Sequence, residues 1–161
     1  LKHLHEHLAV TRHRHRITLI TAAGLLACVA SGCGPGWTDQ DPGIVGDLKV
    51  DIPQSATYFT GEMGNEIDSV HFLMPNDQWR DYVAHYYPGK TLREHAAREN
   101  DGSASPLCFA VLRTGTKLSS QMVGDDIQYR NTNKHAFRMV SVTPDCQPGK
   151  AFVEWSIGRP K

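Results

Sequence analysis

Four histidines, His71, His85, His95 and His135, lie beyond residue 60 and offer the most direct acid–base or ligating chemistry in the chain. His85 and His95 fall on adjacent predicted helices, so a metal shared between them is the alternative reading. Two histidines without a third ligand make a poor zinc site, however, and the favoured reading is surface or half-buried helical histidine, with no cofactor. The carboxylates are no more selective. Asp77 and Asp81 are four residues apart on one predicted helix, Asp125 and Asp126 follow Gly124 in a predicted turn, and Glu94 completes a capping box. A glycosidase needs two carboxylates held about 5 to 9 Å apart across a cleft, and nothing in the spacing selects a pair. The richest patch is aromatic: Trp79, Tyr82, Tyr86 and Tyr87. At helical spacing Trp79, Tyr82 and Tyr86 read as core, while Tyr87 falls off that face and is expected to be exposed. Where these rings emerge at a groove they form a candidate ligand surface. The chain has no nucleophile elbow, His-Glu-x-x-His, Walker loop or dinucleotide fingerprint, so no catalytic residue is assigned.

The elements that must position these groups follow from periodicity. Alternation predicts strands at Leu48 to Ile52, Ala56 to Thr60 and Ser69 to Met74. The period then changes: Trp79, Tyr82, Val83 and Tyr86 recur at helical spacing, predicting a helix from near Asn76 to Pro88-Gly89. "TLRE" (Thr91 to Glu94) predicts a second helix running towards Asn100. Strands return at Cys108 to Thr114, Asp126 to Asn131, His135 to Thr143 and Ala151 to Ile157, with Val153, Trp155 and Ile157 on one face. This order predicts an α+β fold, an antiparallel sheet with one or two helices packed on one face.

The N-terminal part has a different composition. "TRHRHR" (Thr11 to Arg16) is basic, "ITLITAAGLLACVA" (Ile17 to Ala30) is apolar, and small residues lead to Cys33. The apolar run is shorter than the roughly 18 residues that a spanning helix needs, so it reads as an export signal. Val10 is the expected translation start, because a compact basic segment and the apolar run follow it directly. "ASGC" (Ala30 to Cys33) resembles the lipobox of bacterial lipoproteins. The resemblance implies a diacylglyceryl group on the Cys33 sulfur and cleavage between Gly32 and Cys33. Cys28, preceded by Leu26 where that family has a small residue, is the competing position. "GPGWTDQDPG" then reads as a tether. The expected organisation is a signal peptide over 1–32, a lipidated tether over 33–46 and one exported domain over 47–161.

The charge balance of 17 basic against 17 acidic residues becomes 13 against 16 once Leu1 to Gly32 are set aside. A mildly acidic domain has no electrostatic reason to bind nucleic acid. With Cys28 and Cys33 assigned to the signal, Cys108 and Cys146 remain and are expected to form a disulfide. "DIPQSA" (Asp51 to Ala56), with the strand and aromatic helix after it, is similar to small actinobacterial lipoproteins of undefined function. The sequence therefore predicts a non-enzymatic lipoprotein, anchored on the extracytoplasmic face of the cell membrane, that binds an envelope protein or ligand. An envelope hydrolase or metal-binding protein is the alternative.

Overall fold

The computed structural model of the chain describes residues 42–160. Their fold is a six-stranded sheet, antiparallel throughout, in the order β1-β2-β6-β5-β4-β3. The strands are β1 (Thr57–Met63), β2 (Ile67–Pro75), β3 (Arg93–Ala97), β4 (Leu118–Gln128), β5 (His135–Gln147) and β6 (Lys150–Gly158). The helices are short: α1 (Pro42–Leu48), α2 (Trp79–Tyr86), a 3₁₀ turn at Pro106–Cys108 and α3 (Phe109–Leu112). From β3 to β6 the chain meanders, and the β1–β2 hairpin joins the far side of β6.

Alternation builds the central strand. Val153, Trp155 and Ile157 of β6 are fully buried on one face, while Glu154 and Ser156 face the other way. Val70 and Phe72 of β2 and Val140 and Val142 of β5 extend the same apolar face, which α1 and α2 cover with Ile44, Leu48, Trp79 and Val83. The opposite face has a buried apolar cluster at one end. There Leu73, Phe152, Leu118 and Ala97 pack with Cys108 and Cys146 under the 3₁₀ turn and α3. Cys108 and Cys146 form a disulfide that ties this cap to the end of β5.

The protein is accordingly a β-sheet fold, not the α+β fold expected from periodicity. Among the described residues no helix exceeds eight residues, and the helices lie on both faces of the sheet instead of one. The "TLRE" helix is absent because Arg93–Ala97 pairs along β4, from Arg93 opposite Met122 to Ala97 opposite Leu118. One turn of capped helix has little stability of its own, and a full ladder satisfies more backbone groups. The expected strand over 108–114 is helical, since Ser105 caps the turn at Leu107 N–H and Pro106 suits a first helical position. Leu48, expected to open a strand, instead ends α1. Asp125 and Asp126 lie inside β4, opposite Arg138 and Phe137, and not in a turn. Helix α2 starts three residues later than expected, at Trp79. The expected tether over 33–46 overlaps α1, whose Ile44 is buried in the core. The signal segment, Cys28 and Cys33 lie outside the described residues.

Two charged side chains are buried on the apolar face: Asp68 of β2, paired with Arg159, and Arg138 of β5. Arg138 of β5 is only 6% exposed, with its guanidinium 5.1 Å from the Tyr87 ring and 5.4 Å from the Trp155 ring. It donates to Leu48 O (3.0 Å), Tyr87 Oη (3.2 Å) and Asp125 Oδ1 (3.3 Å). Arg138→Ala would leave the helix-terminal carbonyl without its donor and take one partner each from Tyr87 Oη and Asp125, and is expected to cost about 3 kcal/mol in urea unfolding. Arg138→Lys, which cannot span three partners, should recover less than half of that. A loss under about 0.5 kcal/mol for Arg138→Ala, the size of an ordinary surface change, would contradict the assignment. The Cys108–Cys146 bridge closes a long loop and should contribute roughly 4 kcal/mol. Reduction is therefore expected to lower the melting temperature markedly, and the unreduced, denatured chain should show no free thiol at either position.

Candidate functional site

On the face turned away from α1 and α2, the non-apolar end of the sheet forms an open cleft of about 590 Å³. Strand pairing assembles it. Thr60 stands opposite His71, His71 opposite Glu154, and Glu154 opposite Ser141, so four adjacent strands contribute one polar row. Directly opposite residues in a sheet bring their Cβ atoms to about 4.5 to 5.5 Å, close enough for these side chains to act together. Behind the row lie Leu73, Phe152 and Thr143, the last sharing a 2.7 Å hydroxyl hydrogen bond with Ser120. The 102–107 loop forms the side wall. That wall is held by Ser103, which accepts from Arg98 N–H (2.9 Å) and donates to Ala96 O (3.1 Å), and by the adjacent disulfide.

Three features give the cleft its chemistry. Glu154 is partly buried, and desolvation pushes its carboxyl above the ordinary carboxylate range; His71 opposes the rise and Glu62 adds to it. Burial and the two neighbouring charges, with no hydrogen bond, account for that shift, and the carboxyl oxygens are not sealed from solvent without a partner. His71 Nε2 stands 3.9 Å from Glu62 Oε1, and its ring lies 5.8 Å from that of Phe152. Tyr58, on the rim, occupies the left-handed region at φ 55° beside a register shift in β1, and it is 53% exposed. A bulge of this kind re-aims a side chain, and here it places an aromatic ring at the cleft mouth.

The aromatic stripe, read as core from its helical spacing, packs in the core, which leaves little of it for the candidate ligand surface. Trp79 is buried, and Tyr82 and Tyr86 are half-buried around Trp155, with edge-on ring contacts of 6.2 and 5.2 Å. Trp155 Nε1 donates to Tyr82 Oη (3.0 Å), Tyr82 Oη donates to Asp51 O (2.9 Å), and Tyr86 Oη accepts from Asp51 N–H (2.7 Å). These phenols pin the segment after α1 and are not free for a ligand. Burial raises the Tyr82 phenol well above its ordinary value. Tyr87, expected to be exposed, is buried and stacked on Trp155 at 5.8 Å, because α2 ends there and the chain turns into the sheet. Desolvation lifts its phenol to about 12.

His85 and His95 are not brought together. His85 is exposed on α2, with its ring edge-on to Tyr86, while His95 is exposed on the edge strand β3. Among the described residues no cluster of three or more His, Cys, Asp or Glu could hold a metal ion. The cleft residues Glu62, Glu154, Thr60 and Ser141 carry no sequence motif. Their signal was the polar half of each strand alternation, which a single sequence reads as solvent-facing. Comparison with family models, curated proteins and solved structures finds no match.

Glu154 gives this site a measurable signature. Its proton is held more tightly in the folded than in the unfolded chain, so its contribution favours folding at low pH and is lost as pH rises through the raised folded value. Glu154→Gln, a mimic of the protonated form, is therefore expected to be more stable than the natural chain at pH 7, by up to about 1 kcal/mol. The difference should vanish below the ordinary glutamate range. Thermal melts of both chains from pH 4 to 8 check this, and a destabilised Glu154→Gln at pH 7 would show that the carboxylate has an ionic partner.

Proposed function

We propose that the chain is a lipoprotein of the bacterial envelope, held on the extracytoplasmic face of the membrane by a diacylated Cys33. Its domain is a non-enzymatic binding module with the Glu62–His71–Glu154 cleft as ligand site. The observation that carries the binding reading is the cleft itself: a row of polar side chains from four strands around a half-buried carboxyl that solvent reaches through the open mouth. Partial burial raises the cost of that carboxyl's charge, and a ligand that paired with it would offset the cost. The anchoring reading rests on "ASGC" after the basic and apolar segments. The disulfide is in keeping with it, because such bridges persist in oxidising compartments. Among the described residues no helix is long and apolar enough to cross a membrane, so the lipid on Cys33 would supply the attachment. Two acyl chains anchor stably where one does not.

Two measurements test these readings separately. Expressed in a bacterium, the full chain should partition into detergent with an acylated mature mass, and Cys33→Ala should remain unlipidated. A mature mass with no acyl addition would refute the anchor. For the ligand site, amide NMR spectra of the full chain with a small-molecule extract of bacterial envelopes should show shifts concentrated at Thr60, His71, Ser141 and Glu154. Shifts confined to other regions would refute the cleft as the binding site.

A further inference from the structure

The charge and hydrogen-bonding character of the cleft limit what it can take. Two carboxyl groups, Glu62 and Glu154, line it, and no lysine or arginine does. Lys150, the cation near its mouth, donates to Thr57 Oγ1 at 3.2 Å while its ammonium lies 5.9 Å from the Tyr58 ring. An anionic ligand would meet two like charges inside the cleft, with the lysine ammonium only at the mouth. A wholly apolar ligand would bury the Glu154 carboxyl and the hydroxyls of Thr60 and Ser141 without partners, which is costly. A cation offsets the carboxyl charges and supplies donors to oxygens that can only accept. The hydroxyls of Thr60, Ser141 and the Thr143–Ser120 pair both donate and accept, which suits hydroxyl groups on the same ligand. Tyr58 offers an exposed ring at the rim, a surface on which a cation or the apolar side of a sugar ring can rest.

We propose that the cleft binds a small organic cation, a primary amine on a hydroxyl-bearing frame such as an aminosugar, with its ammonium against Glu62 and Glu154 and its hydroxyls at Thr60 and Ser141. This deepens the reading of the cleft as ligand site and rests on it. Binding converts Glu154 from a desolvated carboxyl into half of an ion pair, so ligand and ionised Glu154 stabilise each other. The titratable groups facing Glu154 are His71 from β2 and Glu62 from β1; β5 presents Ser141 and the wall loop presents Ser103 and Ser105.

The test is calorimetric titration of the full chain at pH 7.5 with glucosamine, N-acetylglucosamine, glucose and ethanolamine. Glucosamine is expected to bind saturably. N-Acetylglucosamine and glucose, which lack the charge, should bind at least tenfold more weakly. Ethanolamine, which keeps the amine but little of the frame, should fall between them. Glu154→Gln, expected to fold at least as well as the natural chain, should weaken glucosamine at least tenfold, and Ser141→Ala should weaken it less. His95→Ala, on the edge strand, should leave binding unchanged. Equal binding of glucose and glucosamine would overturn the cationic assignment in favour of neutral polyol recognition. Absence of binding by all four probes would overturn it too. In that case, cleft shifts with the envelope extract would leave the cleft as a ligand site of other chemistry, and no cleft shifts would remove both readings.

Discussion

Arg138 sits where the sheet, both larger helices and the aromatic core meet. A guanidinium can be buried only if its donors find acceptors and its charge finds a counter-charge. Leu48 O supplies the buried C-terminal end of α1, Tyr87 Oη the end of α2, and Asp125 the neighbouring strand. Each partner is thereby fixed relative to β5. Tyr87 returns a hydrogen bond to Arg138 O at 3.3 Å and stacks on Trp155, so the phenol is held from two sides. Asp125 is shared with Lys90, 3.6 Å away, which rests over the Tyr87 ring. The short helices, too short to persist alone, are thus held by a charge that cannot remain buried without them.

Closing one face so completely has a consequence for the other. The aromatic rings, which would be the obvious recognition surface on a small domain, are consumed in packing around Trp155. The second face needs only enough apolar area at one end to seat the disulfide-linked cap, where Leu73 and Phe152 meet Cys108 and Cys146. Beside that cap the face is left to the polar row of Thr60, His71, Glu154 and Ser141. Its wall is therefore rigid for reasons unrelated to any ligand: a cap crosslinked to β5 and a loop threaded by the Ser103 hydroxyl. Binding residues on strands with a fixed wall are held in place before a ligand arrives, which reduces the ordering cost of association. At the other end of the same face, Phe137 lies across Gly124, where any Cβ would come within 2.6 Å of its ring. That contact explains why a glycine interrupts an otherwise regular strand.

Much of the fold can be read from local pattern. Strands β2, β5 and β6 are recognisable because their alternation is long and one half of it is uniformly apolar, as in Val153, Trp155 and Ile157. The disulfide follows from counting once two cysteines are assigned to the signal. Misreadings cluster where a local preference competed with a distant partner. Thr91 and Glu94 carry a capping signal, but β4 offers Arg93–Ala97 a complete set of hydrogen bonds. Cys108 and its apolar neighbours look like a strand, but Pro106 and the Ser105 cap start a helical turn. Tyr87 was expected at the surface because helical geometry places it off the main face, but α2 has ended by then and the backbone no longer follows that geometry.

The sequence by itself determined the faces of the central strands, the helical position of the aromatic stripe and the cysteine pair. Each is a property of residues within a few positions of one another, or of a simple count. Only the tertiary structure decided which strands are neighbours, and the candidate site depends on that decision. Thr60, His71, Glu154 and Ser141 are separated by up to 94 positions in the chain and become one row only because β2 pairs with β6. Strand order is set by how the whole apolar face closes around Trp155 and Arg138, a global constraint that no short window of sequence contains.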